Sequence, residues 1–156
     1  GIVEVTPDEL LAVATELEGH PDNVAPALFG GLTIAWMTPE GPQHKRLTVH
    51  RGVSLLVAVP ESSTMSTAPA RSLHQNYRAA AMPETHTLVT ELRKQGLAAV
   101  VSGAGPSVLV LCSDPAQRLR AAELIEQHAT TPWVPHMLAV DFKGATVNTH
   151  PAEAAA

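Results

Sequence analysis

Two short apolar runs joined by a glycine-rich turn constrain the fold of this chain more than any other feature. Residues 97–101 and 108–112 have strand length and are rich in Val and Leu, and Ser102-Gly103-Ala104-Gly105-Pro106-Ser107 separates them. We call this segment the 102–107 turn. Helices are predicted on both sides of the resulting hairpin, at 83–94 and, after an Asp114 cap, to about residue 128. This order indicates a split βαβ arrangement and an α+β fold.

The first half predicts a capped helix and several strands. Thr6-Pro7-Asp8-Glu9 is typical of an N-cap with an N1 proline and a capping box, and Gly19 is a suitable stop. Apolar residues repeat between these signals with helical period, at Leu10, Val13, Ala14 and Leu17. Two prolines and a Gly-Gly pair then predict a loop with a short helical turn over 20–31. Strands are predicted at 32–36, 46–50, 54–59 and 137–142, with a turn at 39–45.

Composition excludes several classes of protein. Hydrophobic residues make up 45% of the 156 residues, which is enough for a core, and aromatic residues only 3%, so that core is aliphatic. The net charge of −5 and the lack of a basic block argue against a nucleic-acid partner. No apolar run reaches about 18 residues, so no membrane span is expected. The chain also lacks a signal-peptide pattern at its start, so we expect a cytoplasmic protein.

Polar residues after the first helix are candidates for a ligand site. Glu18 stands in the last helical turn, where the helix dipole disfavours a carboxylate, so it is either a ligand-binding group or a partly solvated edge residue. His20, Asp22 and Asn23 follow within four residues and suit a small polar ligand. The alternative is a cap in which Asp22 or Asn23 holds the start of the next helical turn.

The second half adds weaker candidates. The 102–107 turn can present backbone N–H groups to an anion, or it is only a tight connection between strands. Arg71 and Arg78 flank a predicted helix at 71–81 and either bind a carboxylate or phosphate or are simply solvated. The eight histidines have no metal-ligand spacing, so no zinc site is predicted. Cys112 ends an apolar run and is expected in the core.

Taken together, these runs resemble one known family. The segment Glu18-Gly19-His20-Pro21-Asp22-Asn23, continuing to Gly31, resembles the substrate loop of homoserine kinases. The 102–107 turn resembles the third motif of the GHMP kinase superfamily, to which they belong. His74-Gln75-Asn76-Tyr77-Arg78 is similar to the segment just upstream of that motif. The resemblance runs from Thr6 to about Val147 and implies the C-terminal GHMP-kinase fold, a ferredoxin-like split βαβ sheet with helices on one face.

The resemblance implies transfer of the γ-phosphoryl group of ATP to the hydroxyl of L-homoserine, a step toward threonine. Glu18 would be the Mg²⁺ ligand, with Glu16 as a weaker alternative. No catalytic base is assigned, because phosphoryl transfer depends mostly on positioning and charge stabilisation. The residues that would bind or enclose the substrate are His20, Asn23, Thr67 and Arg71 of a T-x-x-x-R match, Arg78, Gly103 and Gly105.

Two departures from the family affect the expected activity. The 156 residues contain no phosphate loop of the form P-x-x-x-G-L-G-S-S-A, and only Ser72 and Leu73 separate Arg71 from His74, where relatives carry a helical segment. The chain therefore resembles an internally shortened C-terminal portion over residues 1–148, with a disordered tail at 149–156. We expect weak ATP binding, uncovered helix and sheet surface, and a possible homodimer. The alternative function is a non-catalytic amino-acid-binding module that uses Arg71 and Arg78.

Overall fold

The computed structural model describes residues 5–61 and 82–146 of the chain. It divides the chain into two compact units, Gly1–Val49 with Val140–Ala156, and His50–Ala139. In the described residues, no helix combines the length and the hydropathy that a membrane crossing requires. The predicted helix at 71–81 and the predicted tail at 149–156 lie outside the described residues.

The first unit is built from two helices and a hairpin. Its elements are α1 (Pro7–Glu18), α2 (Pro21–Phe29), β1 (Leu32–Thr38) and β2 (Gly41–Leu47). The predicted capping box is confirmed, because Thr6 accepts from the Glu9 N–H while the Glu9 carboxylate accepts from the Thr6 N–H. Gly19 ends α1 in the left-handed conformation, as predicted.

Residues 21–29 form a regular helix, so the predicted loop is wrong. Pro21 occupies the first helical position, where a missing N–H costs nothing. Pro26 lies inside the helix and removes one hydrogen bond, yet the adjacent Ala25 is fully buried. Packing of this face therefore outweighs the local breaker signal.

The β1–β2 hairpin is also longer than predicted. The predicted turn at 39–45 shrinks to Pro39 and Glu40, since Thr38 pairs with Gly41 and the ladder continues to Leu32 and Leu47. Proline at position 42 lies in a two-stranded sheet, where each strand has an unpaired edge that tolerates it.

The apolar stripe of α1 does not form its buried face. Leu11 and Thr15 are buried, whereas Leu10, Val13 and Leu17 are 46%, 55% and 85% exposed. The stripe predicted from helical period is therefore an open surface of the unit.

One face of β1 is open in the same way, with Leu32, Ile34 and Trp36 all exposed. These side chains alternate along the strand and so share one side of the hairpin. The uncovered helix and sheet surface implied by the family resemblance is therefore present in this unit.

The second unit is a four-stranded sheet with two helices. Its described elements are β3 (Ser54–Pro60), α3 (Pro83–Lys94), β4 (Ala98–Val101), β5 (Val108–Cys112), α4 (Pro115–His128) and β6 (Trp133–Leu138). The strand order is β4-β5-β3-β6, and every neighbouring pair is antiparallel. This β-α-β-β-α-β order confirms the predicted ferredoxin-like split βαβ arrangement.

The core of this unit lies between the sheet and its helices. Burial alternates along β3 and β5, so one sheet face is buried. This face and the inward sides of α3 and α4 form a single cluster, which confirms helices on one face. Its fully buried large side chains are Leu56, Leu88, Leu92, Val108, Val110, Cys112 and Ile125.

The last strand begins earlier than predicted. β6 covers Trp133–Leu138 rather than 137–142, and it includes Pro135 opposite Ala58. A proline reads as a strand breaker in sequence, but β6 is an edge strand with one side unpaired, where the missing N–H is tolerated.

Candidate functional site

The junction of α1 and α2 carries three of the predicted site residues. α1 ends at Glu18, Gly19 turns the chain with φ of 87°, and His20 is the N-cap of α2. Asn23 follows in the first turn of α2. Because Glu18, His20 and Asn23 are all exposed, a ligand could reach each of them from solvent.

Local hydrogen bonds fix the polar groups at this junction. His20 Nδ1 accepts from the Asp22 N–H at 3.3 Å, and an Asp22 carboxylate oxygen accepts from the Asn23 N–H at 2.9 Å. The cap of α2 is therefore His20, which the sequence did not indicate, rather than Asp22 or Asn23, which lie in the first helical turn. Since Nδ1 is engaged, Nε2 is the His20 nitrogen available to a ligand.

A preformed metal cage is not part of the described structure. Across residues 5–61 and 82–146, no three His, Cys, Asp or Glu side chains gather closely enough to hold an ion. Mg²⁺ is commonly held by one or two carboxylates together with substrate phosphates and water. Glu18 therefore fits a Mg²⁺ site only as one ligand of an ion that arrives with a phosphate.

The 102–107 turn connects β4 and β5 and is closed by its own backbone. The Ser102 N–H donates to the Ser107 carbonyl at 2.7 Å, and the Gly105 N–H donates to the Ser102 carbonyl at 2.9 Å. Gly103 and Gly105 have φ of 55° and 82°, values that side-chain-bearing residues rarely adopt. The Gly105–Pro106 peptide bond is cis.

The start of α3 supports this turn from outside. A Cβ on Gly105 would lie 2.5 Å from Met82 Sδ and 3.0 Å from Val101 Cγ1, so the turn backbone packs closely there. Thr85 Oγ1 donates to the Pro106 carbonyl at 2.9 Å in a buried position. Sequence reasoning missed both contacts, since no local pattern links residues more than 20 positions apart.

Other predicted residues have different outcomes. Thr67, Arg71 and Arg78 lie outside the described residues, so their predicted contacts remain predictions. Cys112 is buried in the core as predicted, and burial raises the pKa of its thiol, which disfavours the reactive thiolate.

A separate cavity of about 490 Å³ lies between α4 and β6. Its lining includes Leu119, Ile125 and Trp133 together with the carboxylates of Glu123 and Glu126. Of the predicted site residues that the structure describes, none lines it, and its described walls lack the cations that a phosphate or carboxylate ligand would need. We therefore keep two separate candidate segments, the α1–α2 junction in the first unit and the 102–107 turn in the second unit.

Comparison with known proteins identifies the relatives of this chain. Residues 58–129 match the family model described as GHMP kinases C terminal. A homoserine kinase of Clavibacter michiganensis is 56% identical over 186 residues, covering 94% of this chain and 58% of that protein. The chain thus spans less than two thirds of this relative's length. The match is longer than the chain's 156 residues, so it contains positions without a counterpart here, in agreement with internal shortening.

Solved structures match the fold. A Listeria monocytogenes structure designated a homoserine kinase has a TM-score of 0.70 at 22% identity, covering 94% of this chain and 62% of that one. The L. major mevalonate kinase, solved with R-mevalonate, has a TM-score of 0.62 at 16% identity, covering 91% and 60%. The fold is thus common to kinases named for different acceptors. From the sequence matches, the chain is a homologue of the homoserine kinases and carries the C-terminal domain of the GHMP kinases.

Proposed function

We propose that this chain supplies the C-terminal, substrate-binding part of a homoserine kinase, which transfers the γ-phosphoryl group of ATP to the hydroxyl of L-homoserine. The observation that carries this proposal is the 56% identity over 94% of the chain to a homoserine kinase. The fold alone does not indicate which phosphoryl acceptor is used, because a mevalonate kinase has the same fold. The proposed step belongs to threonine biosynthesis, in the cytoplasm.

The residues proposed to contact the substrate have complementary chemistry. His20 and Asn23 would contact the polar part of L-homoserine from the exposed start of α2. Arg71 and Arg78 would bind its carboxylate, because a guanidinium offers paired donors to a carboxylate. Thr67 would add a substrate contact. This combination favours an amino-acid alcohol over an uncharged one.

The remaining residues would hold the metal ion and enclose the substrate. Glu18 would hold Mg²⁺ together with ATP oxygens, and the ion would neutralise charge on the transferred group. Gly103 and Gly105 would enclose the substrate from the 102–107 turn, whose backbone can approach a ligand closely where no Cβ intervenes. The turn is no substitute for the family's phosphate loop, which these 156 residues do not contain.

An ADP-release assay tests this proposal. The 156-residue polypeptide is incubated with ATP, Mg²⁺ and L-homoserine, alone and with the N-terminal region of the Clavibacter michiganensis relative supplied as a second polypeptide. We expect no release above background from the chain alone, and homoserine-dependent release from the mixture. L-serine and mevalonate serve as control acceptors.

Three results would contradict parts of the proposal. Turnover by the chain alone at a normal kinase rate, on the order of 1–100 s⁻¹, would show that no added phosphate loop is needed. A reconstituted mixture that phosphorylates mevalonate but not homoserine would refute the proposed acceptor. Replacing both Arg71 and Arg78 by alanine is expected to raise the KM for homoserine, and an unchanged KM would remove them from the site.

A further inference from the structure

Among the described residues, one side-chain hydroxyl group bonds the far side of the 102–107 turn. Its two internal backbone bonds join Ser102 to Ser107 and to Gly105, and neither involves the Pro106 carbonyl. That carbonyl accepts from Thr85 Oγ1 at 2.9 Å. Thr85 is 2% exposed, so water cannot replace the bond if the hydroxyl is lost.

The use of this hydroxyl differs from that of its neighbours on α3. Thr87 and Thr90 donate to carbonyls four residues back in their own helix, those of Pro83 and His86, both at 2.8 Å. Such local bonds are the common arrangement for helical threonine. Thr85 instead reaches 21 residues along the chain and joins the start of α3 to the turn.

A second contact makes the attachment rigid. Met82, the N-cap residue of α3, packs against Gly105 so closely that a Cβ there would lie 2.5 Å from its sulfur. Met82 is itself buried. The beginning of α3 thus holds both Gly105 and Pro106, one by packing and the other by a hydrogen bond.

We propose that Thr85 is a positioning residue for the kinase reaction: its hydroxyl sets the orientation of the Gly103–Gly105 backbone that encloses the substrate. This inference rests on the proposed function, in which that backbone lies against L-homoserine. Thr85 does not itself touch the substrate. Without the Thr85 hydroxyl, the Pro106 carbonyl is no longer held against α3. The 102–107 turn must then become ordered when the substrate binds, and this ordering weakens substrate binding.

The test uses three variants. Thr85→Val keeps the shape and removes the hydroxyl, Thr85→Ser restores the hydroxyl, and Thr87→Val is the matched control that removes a hydroxyl bonded only within α3. Amide exchange and chemical shifts of Gly103 and Gly105 are measured by NMR on the 156-residue chain without ligand. We expect faster exchange and shifted resonances in Thr85→Val alone among the three.

The second measurement is the KM for L-homoserine in the reconstituted mixture. We expect Thr85→Val to raise this KM about tenfold, with a much smaller change in kcat, and Thr85→Ser to lie near the wild type. Unaltered turn amides in Thr85→Val, or altered amides with a wild-type KM, would overturn the positioning role. If the wild-type mixture shows no homoserine-dependent turnover, the proposed function fails and the positioning role fails with it. The amide data would still report whether Thr85 orders the turn.

Discussion

Replacing Gly105 by alanine tests whether the 102–107 turn is packed as tightly as the structure indicates. Two costs add at this position. A φ of 82° costs a residue with a side chain about 1–2 kcal/mol. The new Cβ would also lie 2.5 Å from Met82 Sδ and 3.0 Å from Val101 Cγ1, and forcing a methyl group into a packed site costs about 1–3 kcal/mol. We expect a total loss of about 2–5 kcal/mol in the free energy of unfolding.

Gly103 supplies the matched control in the same turn. Its φ is 55°, but a Cβ there would meet nothing within 4 Å, so only the backbone cost applies. Gly103→Ala should lose about 1–2 kcal/mol. In a Met82→Ala background, the cost of Gly105→Ala should be smaller than in the wild type, since the two substitutions share a contact.

Urea unfolding followed by Trp133 fluorescence measures these losses. Trp133 lies in the second unit, and a Trp36→Phe background removes the tryptophan of the first unit. Equal losses for Gly103→Ala and Gly105→Ala would refute the reasoning, because they would mean that Met82 and Val101 do not pack against the turn.

Three further predictions concern the second unit. Asp114 caps α4 by accepting from the Gln117 N–H, and this bond lowers the pKa of its carboxyl. Because the folded-state pKa is lowered, the ionised carboxylate stabilises the fold above the unfolded-state pKa, and this stabilisation is lost as the pH falls through the folded-state pKa. Below about pH 4, the wild type should therefore lose its melting-temperature advantage over Asp114→Asn. The Cys112 thiol should react with a disulfide reagent only after unfolding, because it is buried and its pKa is raised; rapid labelling of the folded chain would contradict its place in the core. Leu92→Ala should cost about 2–5 kcal/mol in urea unfolding, since Leu92 is fully buried in the main cluster, and a loss below about 1 kcal/mol would mean that the core there is loosely packed.

The sequence predicted the second unit better than the first. Helix caps and apolar runs located α3, β5 and α4 to within a residue or two, because these elements are bounded by local signals such as Pro83, Asp114 and the 102–107 turn. The errors occurred where tertiary context overrides a breaker. Pro26 inside α2 and Pro135 inside β6 are tolerated for reasons of packing and edge position that no local window contains.

Motif resemblance could select candidate site residues, but the sequence could not predict the contacts that support them. Motif resemblance selected His20, Asn23 and the turn glycines, which lie on exposed or backbone-dominated segments where propensity carries little information. The contacts of Thr85 and Met82 with the turn join segments about 20 residues apart in sequence. They depend on how α3 packs beside the β4–β5 hairpin, so only a three-dimensional arrangement could reveal them.

The apolar stripe of α1 shows that hydrophobic periodicity does not by itself predict which residues are buried. Leu10, Val13 and Leu17 recur with helical spacing, yet the helix buries Leu11 and Thr15 against its own unit. Apolar periodicity indicates that a helix face is stabilised by burial. It does not indicate which other surface covers that face. The exposure of Leu10, Val13 and Leu17 therefore follows from how α1 packs in its unit and could not be taken from their spacing.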